Sequence, residues 1–82
     1  MNKEELKEIF KEAKEGFVDV ILELTVPGRK KPEYIIVLND NLDYKLKYYL
    51  ENYNDNLELI RCPEIKILRA NAFDTDRISY IL

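Results

Sequence analysis

Residues 17–38 read FVDVILELTVPGRKKPEYIIVL, and this stretch decides the fold. Val18, Val20, Leu22, Leu24 and Val26 alternate with Phe17, Asp19, Ile21, Glu23 and Thr25. That period of two is the signature of a β-strand. The first set is expected to face the core, while Asp19 and Glu23 keep the second face largely wet. Pro27-Gly28 then supplies a type II turn, because proline presets φ and glycine accepts a positive φ. Arg29, Lys30, Lys31 and Pro32 lengthen the connection beyond a two-residue hairpin. Residues 33–38, Glu-Tyr-Ile-Ile-Val-Leu, are apolar on both faces, the pattern of a strand interior to its sheet. The two strands are expected to pair as an antiparallel hairpin.

On the N-terminal side, Leu6, Ile9, Phe10 and Ala13 recur at i, i+3, i+4 and i+7, which predicts an amphipathic helix over 2–15. Asn2 is its cap, with Glu5 three positions on, and Gly16 is placed to end it in the left-handed conformation. On the C-terminal side, Asn39, Asp40 and Asn41 are all strong caps for a second helix. Its stripe is Leu42, Leu46, Tyr49, Leu50 and Tyr53, and Asn54-Asp55-Asn56 ends it. Two short strands are expected at 57–62 and 65–70, with Pro63 interrupting the ladder between them. Residues 77–82 form either a fifth strand or a frayed tail. The order α-β-β-α-β-β, with an optional last β, describes one α+β domain over residues 1–82. It is an antiparallel sheet with two helices packed on one face. Leu22 and Leu46, each mid-element on an apolar face, are expected to be among its best-buried side chains.

Composition narrows the chemistry. The chain has 82 residues, 13 basic and 16 acidic, a net charge of -3 and no histidine. A mildly acidic protein lacks the basic excess that displaces counterions from a polyphosphate. Without histidine there is no triad and no imidazole metal site. The single cysteine, Cys62, excludes an intrachain disulfide and a cysteine-cluster zinc site. Among nucleophile candidates, Cys62, Thr75 and Ser79 all lack an activating histidine, and Cys62 reads as a small core hydrophobe. No apolar run approaches the roughly 20 residues that span a bilayer. The N-terminus lacks the apolar core of a signal peptide. A cytoplasmic, non-enzymatic protein is therefore expected, with no membrane association.

Two carboxylate pairs, Asp40 with Asp43 and Asp74 with Asp76, have the chemistry for acid–base work or a hard cation. The first reads as helix capping and a favourable charge at the positive helix end. The second reads as a solvated turn. Neither carries the glycine and distal glutamate of a calcium loop. No metal and no cofactor are expected.

Charge is unevenly spread. Residues 1–32 hold seven acids and seven bases, and residues 33–82 hold nine and six, so the C-terminal part carries the whole excess. Over 39–58, Asp40, Asp43, Glu51, Asp55 and Glu58 stand against Lys45 and Lys47, beside Tyr44 and Tyr48, which the core stripe does not use. Tyrosine gives a large contact area with few rotatable bonds and enriches interfaces. Asp40, Asp43, Tyr44, Tyr48, Glu51 and Asp55 are therefore the expected partner-binding residues, on helical spacing along one side. The bland alternative is a solvated helix whose tyrosines cover the rim of the core.

The function expected from these features is a small acidic protein-binding module that masks a basic or nucleic-acid-binding surface of another protein. Inhibitors, antitoxins, immunity-type proteins and small phage anti-defence proteins, anti-CRISPR proteins among them, act in this way, although no motif here matches any of them. A homodimer through the open sheet face, with Phe17 and Ile21, is a second mode of association. The alternative function is a small nucleic-acid-associated domain. In it Arg29, Lys30 and Lys31 touch phosphates and Tyr34 offers a stacking surface. The acidic balance argues against it, and three cations in an exposed connection also serve simply to solubilise the turn and discourage edge association.

Overall fold

The computed structural model describes residues 1–74. The segment at 77–82, read from sequence as a strand or a tail, lies outside the described residues, as do Thr75, Asp76 and Ser79. Helix α1 spans Lys3–Glu15, strand β1 Asp19–Thr25 and strand β2 Glu33–Val37. A short 3-10 turn, Asn39–Asn41, leads into helix α2, Leu42–Asn52. Strand β3, Glu58–Leu59, and strand β4, Cys62–Phe73, complete a four-stranded antiparallel sheet of order β2-β1-β4-β3. The α+β architecture read from the sequence is the observed one.

β1 holds the centre. Val20, Leu22 and Leu24 are buried on one face, as period two predicts, and pack in one core with Leu6, Phe10 and Ala13 of α1. Ala70 and Ile67 of β4 stand opposite Leu22 and Leu24 and extend that row. The α1 cap is as expected, the Asn2 side chain accepting from the Glu5 N–H at 2.9 Å. The hairpin turn is also as expected: Gly28 takes φ 80° and the Arg29 N–H donates to the Val26 carbonyl.

Several local expectations are corrected. β2 is an edge strand and not an interior one. Only Val37 is buried, while Tyr34, Ile35 and Ile36 are exposed. Its apolarity on both faces misleads because α1 lies mainly over β1 and β4 and not over this margin. Gly16 keeps a negative φ of -89°, and the left-handed residue is its neighbour Phe17, at φ 55°. β1 consequently begins at Asp19, and Phe17 stands outside its alternation. The strands expected at 57–62 and 65–70 are instead a two-residue β3 and a twelve-residue β4. Pro63 does not interrupt the main ladder because pairing with β1 begins only at Lys66. A bulge between Glu23 and Leu24 leaves Leu68 as the extra residue of β4.

The cap of α2 also differs from expectation. No side chain of Asn39, Asp40 or Asn41 caps the helix. Asn39 instead ties three elements together. Its side-chain amide donates to the carbonyls of Ala13 (3.3 Å) and Val18 (2.8 Å), and its N–H donates to Asp19 Oδ1 (2.7 Å). α2 then docks through Leu42 and Tyr49, with Tyr53 buried just beyond its end, while Leu46 is only half-buried. Tyr49 meets Phe10 and Tyr53 edge-on, at ring separations of 6.3 and 5.6 Å. After α2, the Asn54 side chain accepts from the N–H groups of Asn56 and Glu58, which folds a tight turn. That turn holds Leu57 at φ 59° and fully buried. A left-handed leucine is strained, so its burial must offset the conformational cost.

Two outcomes are expected. Leu22→Ala and Leu57→Ala each cost about 2–5 kcal/mol, and Leu46→Ala costs less than either, because only the first two leave a full cavity. Urea denaturation checks the order, and an equal or larger loss at Leu46 contradicts the packing. The second concerns Tyr49. Burial, with Tyr53 and Tyr48 adding to it, pushes its hydroxyl from the ordinary 10.0 up to about 12. Between those values the unfolded chain releases a proton that the folded chain keeps. Stability is therefore unaffected below pH 10.0 and falls as pH rises towards 12, by at most about 1.4 kcal/mol per unit. Tyr49→Phe is expected to flatten this part of the alkaline decline. Identical pH dependence in both proteins contradicts it.

Candidate functional site

The residues singled out on and around α2 separate into two groups. Tyr44, Tyr48 and Glu51 lie at i, i+4 and i+7, within one narrow helical stripe. Tyr44 is 73% exposed and Tyr48 39%. Asp40 is exposed in the 3-10 turn just before the helix. This half of the expected surface is assembled as the spacing implies.

The other half turns towards α1. Asp43 meets Lys14, Oδ2 to Nζ, at 2.7 Å. Asp55 does not continue the stripe, because α2 ends at Asn52 and Asp55 falls in the following turn. Its carboxylate lies 4.0 Å from Lys3 Nζ, at the start of α1. Lys3 Nζ also donates to the Leu50 carbonyl at 2.9 Å, so it helps pin the end of α2. Lys45 Nζ sits 5.9 Å from the centre of the Tyr48 ring. Neighbouring cations thus offset part of the local negative charge, and Asp40 and Glu51 are left as the acids flanking the two tyrosines.

The space between the helices is small. A cleft of about 170 Å³ is lined by Phe10, Leu42 and Leu46 and rimmed by Lys7, Lys11, Lys14 and Asp43. That is below the roughly 300–1,000 Å³ usual for substrate and cofactor pockets, a range reached by a more open cleft of about 410 Å³ lined by Asn2, Lys3, Glu4, Lys7 and Asp55. Among the described residues, no group of three or more Cys, Asp or Glu stands where it could hold a metal ion. Cys62 is half-buried and packs against the core. No described helix is long and apolar enough to cross a membrane.

Arg29, Lys30 and Lys31 are all exposed in the hairpin connection. Arg29 is engaged by Glu33, Nη1 to Oε1 at 2.6 Å, leaving Lys30 and Lys31 as the unengaged cations of the loop. Tyr34 is 62% exposed. Its hydroxyl approaches Glu23 Oε1 at 3.5 Å on the open face of the sheet, where Arg69 Nε also reaches Glu23, at 3.4 Å. The pairings Ile21 with Ile36, Glu23 with Tyr34 and Glu23 with Arg69 place these residues on one face. That face is therefore mixed, with an ion pair crossing its middle.

Phe17, read from the sequence as part of an apolar patch on the open sheet face, is 87% exposed, but at a left-handed φ outside the strand. The exposed apolar side chains Tyr34, Ile35, Ile36 and Leu38 lie along the outer strand, a position at the sheet's margin that the sequence pattern does not predict. Comparison of the chain with protein-family models, with curated proteins and with solved structures finds no match.

Replacing Arg29, Lys30 and Lys31 together by Ser is expected to leave the fold intact. The loss should stay within about 1 kcal/mol, the usual worth of one exposed ion pair, since the turn depends on Pro27 and Gly28. Thermal unfolding followed by circular dichroism reads it. A collapse of the cooperative transition would show that the loop is structural.

Proposed function

We propose that the protein is a small non-enzymatic binding module that recognises another protein through the outer side of α2 and masks a basic or nucleic-acid-binding surface on it. The observation that carries the reading is the exposure of Tyr44 and Tyr48 side by side, when the α2 stripe that builds the core uses Leu42 and Tyr49 instead. Exposed tyrosines at i and i+4 offer a rigid amphipathic contact surface. Asp40 and Glu51 at its margins complement lysine and arginine on the partner and speed encounter through long-range attraction. Inhibitor, antitoxin and immunity-type roles all share this mode of action. Contact with nucleic acid through Lys30 and Lys31 is the weaker reading, because Arg29 is held by Glu33 and Tyr34 is turned to Glu23.

Immobilised protein exposed to an extract of its source cell is expected to retain a basic protein, and to release it as salt rises past the roughly 8 Å screening length of physiological buffer. With that protein purified, calorimetry on Tyr48→Ala and on Glu51→Lys provides the decisive step. Truncating an interface tyrosine at a hot spot costs about 2 kcal/mol or more, some 30-fold in affinity. Full affinity in both variants, with circular dichroism confirming the fold, would move the interface off α2.

A further inference from the structure

The geometry points to a second copy of this chain as the occupant of the free edge of β2, joined by antiparallel β2–β2 pairing about a two-fold axis at Ile35. This inference is independent of the α2 reading and concerns the opposite margin of the fold. β2 closes one side of the sheet, and among the described residues no strand pairs with its outer edge. Alternate residues of an edge strand leave N–H and C=O groups free to pair with another chain. Here that edge carries Tyr34, Ile35, Ile36 and Leu38, all exposed, at 62, 41, 48 and 54%. Tyr34 and Ile36 stand on the open face and Ile35 on the helix-bearing one, so exposed apolar side chains flank this edge on both faces, where another strand would cover them.

Charge identifies the occupant. Lys30 and Lys31 precede β2, and Asp40 follows it. All three are exposed, and none takes an ion pair among the described residues. Antiparallel pairing of two copies centred on Ile35 brings the basic end of each strand beside the acidic end of the other. Parallel pairing would set lysine against lysine. Lysine near a sheet edge ordinarily repels other edges. Here the lysines flank the strand, and the opposite charge lies at its far end, so the same residues select one orientation.

The side chains also match in this register. Tyr34 of each copy stands opposite Ile36 of the other on the open face. The two Ile35 side chains meet at the axis on the helix-bearing face. Aromatic and β-branched residues are favoured cross-strand partners. Pro32 lacks an N–H and limits the ladder to the strand itself. Five residues per strand make a small interface, so a reversible dimer in the micromolar range is expected and not a permanent one.

Sedimentation velocity on the intact chain, from micromolar to millimolar concentration, tests this. The expected result is a monomer–dimer equilibrium that weakens as salt rises. Ile35→Lys places two lysines across the axis and should raise the dissociation constant at least about tenfold. Lys30→Glu, at an exposed position in the hairpin connection, should weaken the dimer several-fold at low salt. Adding Asp40→Lys to it should restore most of the loss, because the charge pattern is then reversed at both ends. A chain that stays monomeric throughout overturns the proposal. So does a dimer whose dissociation constant is indifferent to Ile35→Lys and to the charge exchange, which would lie on another surface.

Discussion

The fold depends on the burial of one row of side chains, Val20, Leu22 and Leu24, beneath Leu6, Phe10 and Ala13 of α1. Each fully buried aliphatic side chain is worth about 1.5–3 kcal/mol against exposure. A chain of 82 residues has few such rows to spend on more than one layer. Two helices can cover one face of the sheet and no more. α1 lies over its middle, where β1 and β4 supply the longest paired ladder, and α2 packs against α1. The rest follows from that placement. Asn39 ties the end of α1, the start of β1 and the entry to α2, so that α2 arrives beside α1. Tyr49 then fills the space between the helices against Phe10 and Tyr53.

What was legible in the sequence was whatever a short-range period dictates. The alternation from Val18 to Val26 fixed the core face of β1, and the i, i+3, i+4, i+7 spacing of Leu6, Ile9, Phe10 and Ala13 did the same for α1. Pro27 and Gly28 wrote the turn directly. What escaped was set by lateral position and by tertiary bonds. The residues of β2 look like those of an interior strand, and nothing local says that α1 lies mainly over β1 and β4 instead. Asn39 looks like a cap, yet its amide finds better-placed carbonyls on α1 and before β1. Leu57 and Phe17 hold left-handed backbone that neither residue type advertises. Of the expected binding surface, helical spacing correctly joined Tyr44, Tyr48 and Glu51. It carried Asp55 too far, because α2 ends three residues earlier.

One-sided coverage also explains where the exposed apolar area lies. The open face of the sheet is kept soluble by Glu23 with Arg69 and Tyr34, by Asp19 and by Asn71. Such a mixed face is ordinary for an antiparallel sheet with one side in water. Within the outer strand the one charged side chain is Glu33, paired with Arg29, and Pro32 and the two lysines stand before it. Two surfaces are thus proposed for protein contact, the tyrosine pair with flanking acids on α2 and the outer edge of β2. They lie on different elements, so pairing through β2 would leave α2 exposed in both copies.

Residue-resolved amide hydrogen exchange at low and high protein concentration tests most directly whether helix coverage stops at the middle of the sheet. If it does, the amides of β1 exchange slowest, near the free energy of global unfolding, and at the same rate at both concentrations. The outward amides of β2 exchange quickly when the protein is dilute and slow as it is concentrated. Outward β2 amides protected as strongly as those of β1 in dilute solution would contradict the account, because that edge would already be covered within a single chain.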